Sequence, residues 1–191
     1  MGRLIYWMNV SLDGYVAGPD GSPGWAEPSA EVMAAFNADT ADVGTFLYGR
    51  RIYELMSVWE TDPTIAAGSA GNAEFARLWQ AADKVVHSAT LGVVPTRRTR
   101  VERAFRPTDV ETLKRSTTAD LTVNGPTLAA QALRAGLVDE VGIYLWPVAL
   151  GGGLRFLPDD VRLDLRLTSE RRFAGGTVRL RYDVVGSRAT V

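Results

Sequence analysis

The stretch Leu121–Glu140, "LTVNGPTLAAQALRAGLVDE", decides the architecture. Its apolar run halts at Asn124-Gly125-Pro126, and a helical Ala/Leu pattern starts without a spacer. A strand that feeds a helix this directly is the unit from which parallel sheets with crossover helices are built. The junction also leaves free N–H groups and the positive end of the helix dipole beyond the strand tip. Gly125 lets a ligand approach the backbone, Pro126 sets the first helical φ without wasting a donor, and Thr127 and Leu128 present N–H groups to an anion. Taken alone, the same residues also read as a plain tight turn, because the longer glycine fingerprint of a Rossmann unit is absent.

Working outward, the same alternation recurs. "LIYWMNVSL" is a β-rich, nearly continuous apolar run, as a strand covered on both faces requires. A loop rich in Gly and Pro, "DGYVAGPDGSPGW", follows it. Ser29 then caps a helix with an apolar face at Val32, Met33 and Phe36. "GTFLYG" is a strand, "RRIYELMSVW" a helix, "NAEFARLWQAA" a helix capped by Asn72, and "KVVHSA" a buried strand. Pro107 and Thr108 open the helix that leads back to Leu121. The last third changes character: "DEVGIYLWPVAL", "VRLDLRLTSERRF" and "GTVRLRYDVV" are strands without helices between them, the final two joined by a tight turn at Gly175-Gly176. The expected fold is a single α/β domain over residues 1–191, with a mostly parallel mixed sheet and an antiparallel C-terminal hairpin.

Composition narrows the chemistry. With 46% hydrophobic and 23% charged residues in 191, the chain has ordinary globular make-up. It has no Cys, which excludes disulfides, thiolate nucleophiles and cysteine-bound metal; its one His, His87, excludes two-histidine metal motifs. A net charge of -1 from 21 basic and 22 acidic residues leaves no nucleic-acid footprint. No apolar run approaches the ~20 residues of a membrane span, and the N-terminus lacks a signal peptide's cleavage pattern, so a cytoplasmic protein with a small-molecule partner is expected.

Two further junctions resemble the first. At "YGRRIYE" a strand ends at Tyr48, Gly49 permits close approach, and Arg50 and Arg51 occupy the first helical turn, where a cation is misplaced unless an anion compensates it. The planar guanidinium suits phosphate, although two solvated arginines read equally well from sequence alone. At "VVHSATL" the strand leaves the Ser88 and Thr90 hydroxyls at its tip. Three strand ends carrying Gly, Arg, Ser and Thr match a nucleotide crevice, since ligands of open α/β sheets bind beyond the carboxyl ends of strands.

The set "VSLDGYVAGPDG", "YGRRIYE", "KVVHSATL", "TVNGPTLAAQALRAGLVDEV" and "WPVALGGGLRFL" resembles, in order and spacing, the dihydrofolate-reductase-like fold. It is most similar to the group containing the reductase domain of the riboflavin-biosynthesis deaminase-reductase. The resemblance implies a three-layer domain and an NADPH-dependent reductase. Arg50 and Arg51, with Ser88, would then read the 2′-phosphate of the cofactor. Gly49 would meet the pyrophosphate from one side and Asn124, Gly125, Pro126, Thr127 and Leu128 from the other, while Asn9, Val16 and Ala17 pack on the nicotinamide. It also implies a homodimer in contact through a late antiparallel strand.

Two departures stand out. Ile52 occupies a position where the group usually has Thr, which removes one hydroxyl contact to phosphate. The usual Gly-Gly pair is Gly125-Pro126 here; since proline lowers the cost of a cis bond from ~3 kcal/mol to below ~1 kcal/mol, a cis bond is expected, as in dihydrofolate reductases. The alternative is a trans bond with Pro126 as an ordinary first helical residue. The candidate proton donors are Asp13 and Glu31. Asp13 also reads as a residue closing the Asp13-Gly14 turn, and Glu27 and Asp39 lie near Glu31 in a register that sequence leaves open. The expected function is a stand-alone reductase of a pterin-like or ribosylamino-pyrimidine substrate. A non-catalytic NADPH-binding module and a true dihydrofolate reductase are the alternatives.

Overall fold

The computed structural model describes residues 1–189. In chain order they form β1 (Leu4–Ser11), β2 (Tyr15–Ala17), α1 (Ala30–Thr40), β3 (Val43–Gly49), α2 (Arg50–Met56), α3 (Val58–Thr61), α4 (Pro63–Ala67) and α5 (Ala70–Ala81). There follow β4 (Asp83–His87), β5 (Thr99–Glu102), α6 (Pro107–Ser116), β6 (Asp120–Asn124), α7 (Pro126–Arg134), β7 (Glu140–Trp146), β8 (Leu154–Arg155), β9 (Val161–Arg172) and β10 (Val178–Ala189). Eight strands make one sheet in the order β5-β4-β3-β6-β1-β7-β10-β9, and β2 pairs with β8 in a small second sheet. From β5 to β7 every pairing is parallel, whereas β10 runs antiparallel to both β7 and β9.

Strand alternation assigns each side chain to one of two covered faces. On one face Leu47, Leu121 and Val123 pack against α6 and α7 through Val110, Leu128, Ala129 and Leu133. On the other, Phe46, Tyr48 and Val86 meet Tyr53 of α2 and Trp79 of α5, and α1 lays Val32 and Ala35 over Tyr144 and Phe173. The Trp79 indole N–H is satisfied inside this second core by the Tyr48 hydroxyl at 2.9 Å. Among the described residues no helix is long and apolar enough to cross a membrane.

Ser29 caps α1 as expected, accepting from the Val32 amide at 3.3 Å, and Gly175-Gly176 makes the β9–β10 turn, closed by the Phe173 amide on the Thr177 carbonyl. Three local expectations are corrected. The cap of α5 is Ser69, whose hydroxyl accepts from the Asn72 amide at 3.0 Å; Asn72 lies within the first turn, and its side-chain amide donates to Ile65 O. The helix after β3 breaks at Ser57 into α2 and α3. No peptide bond among the described residues is cis, so Gly125–Pro126 is trans. The sharp turn comes instead from Gly125 at φ +91°, a conformation only glycine adopts readily, which leaves Pro126 as the first residue of α7.

Candidate functional site

The sheet itself assembles the strand tips. Gly49 is in register with His87 on β4, and Tyr48 with Asn124 on β6, so the ends of β4, β3 and β6 lie side by side. Beyond them the chain parts: α2 turns to the Phe46 face and α7 to the Leu47 face. A crevice opens where neighbouring strands send their helices to opposite sides.

The residues at this crevice are small or uncapped. The start of α7 has no side-chain cap, so the Thr127 and Leu128 amides, the first that follow a proline, remain available as donors. A Cβ placed on Gly49 would meet nothing closer than Leu128 Cβ at 4.0 Å, and one on Gly125 would press on Ile52 Cγ2 at 3.1 Å. Arg50 reaches across to the β4 tip, donating to Glu54 at 2.7 Å and to the Thr90 hydroxyl at 3.1 Å. Ser88 Oγ accepts from the Leu91 amide at 3.0 Å and shapes that loop. Arg103, which sequence reasoning missed, holds the loop by donating to Leu91 O at 2.6 Å and to Ser88 O at 3.3 Å. Arg51 is exposed at the same helix start. These uncapped amides and the guanidinium beside hydroxyls are the donor set a pyrophosphate with an extra phosphate needs.

Next to the crevice, on the α1 side of the sheet, lies a cavity of about 480 Å³. Asn9, Ile52 and Asn124 line it together with Trp7, Phe36, Phe46, Tyr48, Trp59 and Phe75. Asn9 is fixed by the Trp146 indole N–H at 3.0 Å, and Asn124 donates to Thr122 Oγ1 at 2.8 Å. Asp39 and Tyr144 also line the cavity. The Tyr144 phenol donates to Asp39 Oδ2 at 2.5 Å, and Arg179 donates to Asp39 Oδ1 at 2.8 Å. Burial, and then the Asp39 charge, push the Tyr144 hydroxyl far above the ordinary phenol range, so it stays protonated.

The remaining candidates lie elsewhere. Val16 and Ala17 are buried on β2, with Val16 in the α7-side core. Asp13 does not line the cavity: it accepts from Ser11 Oγ at 2.6 Å and from the Leu150 and Gly151 amides at 3.0 and 2.7 Å, fastening the β1–β2 turn to the loop after β7. Those donors hold its carboxyl down at about 2. Glu31 pairs with Arg171 at 3.0 Å on the surface and does not line the cavity either. Of the carboxylates near α1, the cavity takes Asp39, whose helical register became visible only once α1 was placed.

Known proteins share this fold. A protein from Bacillus subtilis (strain 168), the uncharacterized YyaP, is 26% identical over 185 residues, spanning 94% of either chain. Among solved structures, a candidate riboflavin biosynthesis protein from Shewanella sp. PV-4 superposes with a TM-score of 0.75 at 19% identity, covering 95% of this chain and 98% of its own. A diaminohydroxyphosphoribosylaminopyrimidine deaminase/5-amino-6-(5-phosphoribosylamino)uracil reductase from Thermotoga maritima gives 0.65 at 16% identity; 96% of this chain matches 56% of that longer one. A pyrimidine reductase-like protein from Corynebacterium diphtheriae gives 0.63 at 13% identity, covering 97% and 92%. The sequence pattern of the RibD C-terminal domain matches residues 3–178. With the sheet order, the divergent helices and the adjoining cavity in place, the chain belongs to the RibD C-terminal domain family.

Proposed function

We propose that this protein is an NADPH-dependent reductase of a small heterocycle, pterin-like or of the ribosylamino-pyrimidine type. The observation that carries the reading is the uncapped start of α7: Asn124 lines the cavity, and just beyond Gly125 and Pro126 the Thr127 and Leu128 amides have no side-chain cap. Arg50, Arg51 and Ser88 would hold the 2′-phosphate, Gly49 and Asn124 to Leu128 the pyrophosphate, and Asn9 the nicotinamide end at the cavity, with Val16 and Ala17 behind the first strand. The cofactor supplies the hydride when bound. The chain's own contribution is to fix the two rings face to face and keep water from between them, the larger part of what hydride transfer requires. Asp13 serves this reading by pinning the loop beside β1, and Glu31 by tying α1 to β9 through Arg171.

The protein is proposed to act in the cytoplasm as a homodimer through the β9–β10 hairpin, where Leu165, Leu167 and Val185 are exposed. Titration of NADPH and NADH against the intrinsic Trp fluorescence, followed by NADPH oxidation with candidate pterins and pyrimidines, tests the reading. Tight NADPH binding with turnover supports it. Binding without turnover on any of them favours a binding module, methotrexate-sensitive turnover of dihydrofolate favours a dihydrofolate reductase, and absence of NADPH binding overturns it.

A further inference from the structure

The loop that follows β4 has its acceptors occupied and its donors free. Three of its carbonyls, Ser88 O at 3.3 Å, Ala89 O at 3.5 Å and Leu91 O at 2.6 Å, accept from a single nitrogen, Nη1 of Arg103. The hydroxyls are in the reverse state. Ser88 Oγ accepts from the Leu91 amide at 3.0 Å and the Thr90 amide at 3.4 Å, and Thr90 Oγ1 accepts from Arg50 at 3.1 Å. A hydroxyl carries one proton besides its two acceptor positions, so both O–H groups keep theirs to donate.

The two guanidiniums on this loop differ in charge balance. Arg50 donates from Nε to Glu54 at 2.7 Å, an ion pair that offsets part of its charge. Arg103 has no carboxylate partner among the described residues, because its neighbour Glu102 pairs with Arg100 at 3.3 Å. A guanidinium has five N–H donors, and the loop engages Arg103 through Nη1 alone, which leaves Nε and Nη2 free on an exposed side chain. A cation already fixed at one nitrogen loses less rotamer freedom when an anion arrives.

Resting on the reductase reading, we infer that Arg103 reads the 2′-phosphate of the dinucleotide, closing a clamp with Arg50 and the Ser88 and Thr90 hydroxyls, and so sets the preference for NADPH over NADH. A phosphate monoester brings about −1.5 to −2 of charge at pH 7 and three acceptor oxygens. Arg50, already shared with Glu54, leaves most of that charge uncompensated, and Arg103 supplies the balance.

Calorimetric titration of the full chain with NADPH, NADH, 2′,5′-ADP and 5′-ADP tests this in the wild type, Arg50→Ala, Arg103→Ala and Arg103→Gln. Glutamine keeps an amide donor for the loop carbonyls without the charge, so it separates phosphate reading from loop support. Arg103→Gln should weaken NADPH and 2′,5′-ADP roughly tenfold or more, at least as much as Arg50→Ala does, and leave NADH and 5′-ADP within about twofold. Arg103→Ala should show the same selective loss. If it lets the loop collapse and weakens every ligand, Arg103→Gln carries the decision. Equal loss of NADPH and NADH in Arg103→Gln, or unchanged NADPH affinity, would make Arg103 a loop brace and overturn the inference while the reductase reading stands. A wild type that binds NADPH no more tightly than NADH would overturn it as well. Failure to bind either dinucleotide would instead remove the reductase reading, and this inference with it.

Discussion

The indole of Trp7 lies against the backbone of Gly142, its register partner on the adjacent strand, so closely that a Cβ at 142 would fall 2.3 Å from the ring. The absence of a side chain there lets Trp7 lie flat as part of the cavity wall, with Arg181 stacked at 5.3 Å. Gly142→Ala should therefore displace the indole and destabilise the fold by about 1–3 kcal/mol, the usual range for overpacking. Denaturant titration and a shifted Trp emission maximum check this; unchanged values in both would contradict the close contact.

Arg50→Ala and Arg51→Ala should weaken NADPH far more than NADH. A charge-assisted hydrogen bond contributes about 1.5–3 kcal/mol, so each loss should read as roughly tenfold to a hundredfold in NADPH affinity. Equal loss for both dinucleotides would remove the 2′-phosphate from this helix start.

Ile52 lines the cavity and packs over Gly125. Ile52→Thr would place a hydroxyl beside the proposed pyrophosphate site. One neutral hydrogen bond contributes about 0.5–1.5 kcal/mol, so NADPH affinity should rise roughly twofold to tenfold. A fall in affinity would mean that the Ile52 side chain contacts the cofactor through its apolar surface.

His87, the only histidine, is held below its ordinary pKa, chiefly by burial. Its folded value therefore lies under the ~6.5 of an unfolded chain, and the unfolded state takes up the proton first as pH falls. The linked stability is fully present above about pH 6.5 and is lost as pH falls through that value toward the folded pKa. A single imidazole signal in the NMR titration should show a midpoint below 6.5, and His87→Leu should flatten the stability profile between about pH 7 and 5. A midpoint at or above 6.5 would refute the assignment.

Asp13, with its carboxyl held at about 2, behaves in the same direction at lower pH. Its contribution is complete above the ~3.9 of an unfolded aspartate and disappears as pH falls through about 2. Asp13→Asn should raise hydrogen exchange at the Leu150 and Gly151 amides and remove that part of the acid dependence. Unaltered exchange would show that the loop is fixed by other contacts.

The strand-tip half of the site was legible because its signals are local. A glycine at a strand end, a proline at a helix start and a serine one residue past a strand each follow from the conformation their own position demands. The cavity floor carried no such signal. Asp39, Tyr144 and Arg179 come from α1, β7 and β10, and before the helix was placed Asp39 was one of several carboxylates in reach. Tyr144 looked like any aromatic on a strand. The trans bond at Gly125–Pro126 was misjudged for a related reason: proline makes a cis bond cheap, but the positive φ of Gly125 already turns the chain. The α5 cap moved to Ser69 because extended backbone just before the helix, at φ −163° and ψ 164°, outweighed the preference of Asn72 for the same role.

Among the described residues the outermost strand, β9, pairs with β10 alone, which leaves a twelve-residue rim of backbone on its far side. Rims of that length recruit stray chains into fibrils unless something repels them. Here Arg162, Asp164, Arg166, Glu170, Arg171 and Arg172 punctuate the strand, and two register slips against β10 twist it. Neutral replacements along β9 should therefore raise self-association at high concentration, a change that light scattering would read.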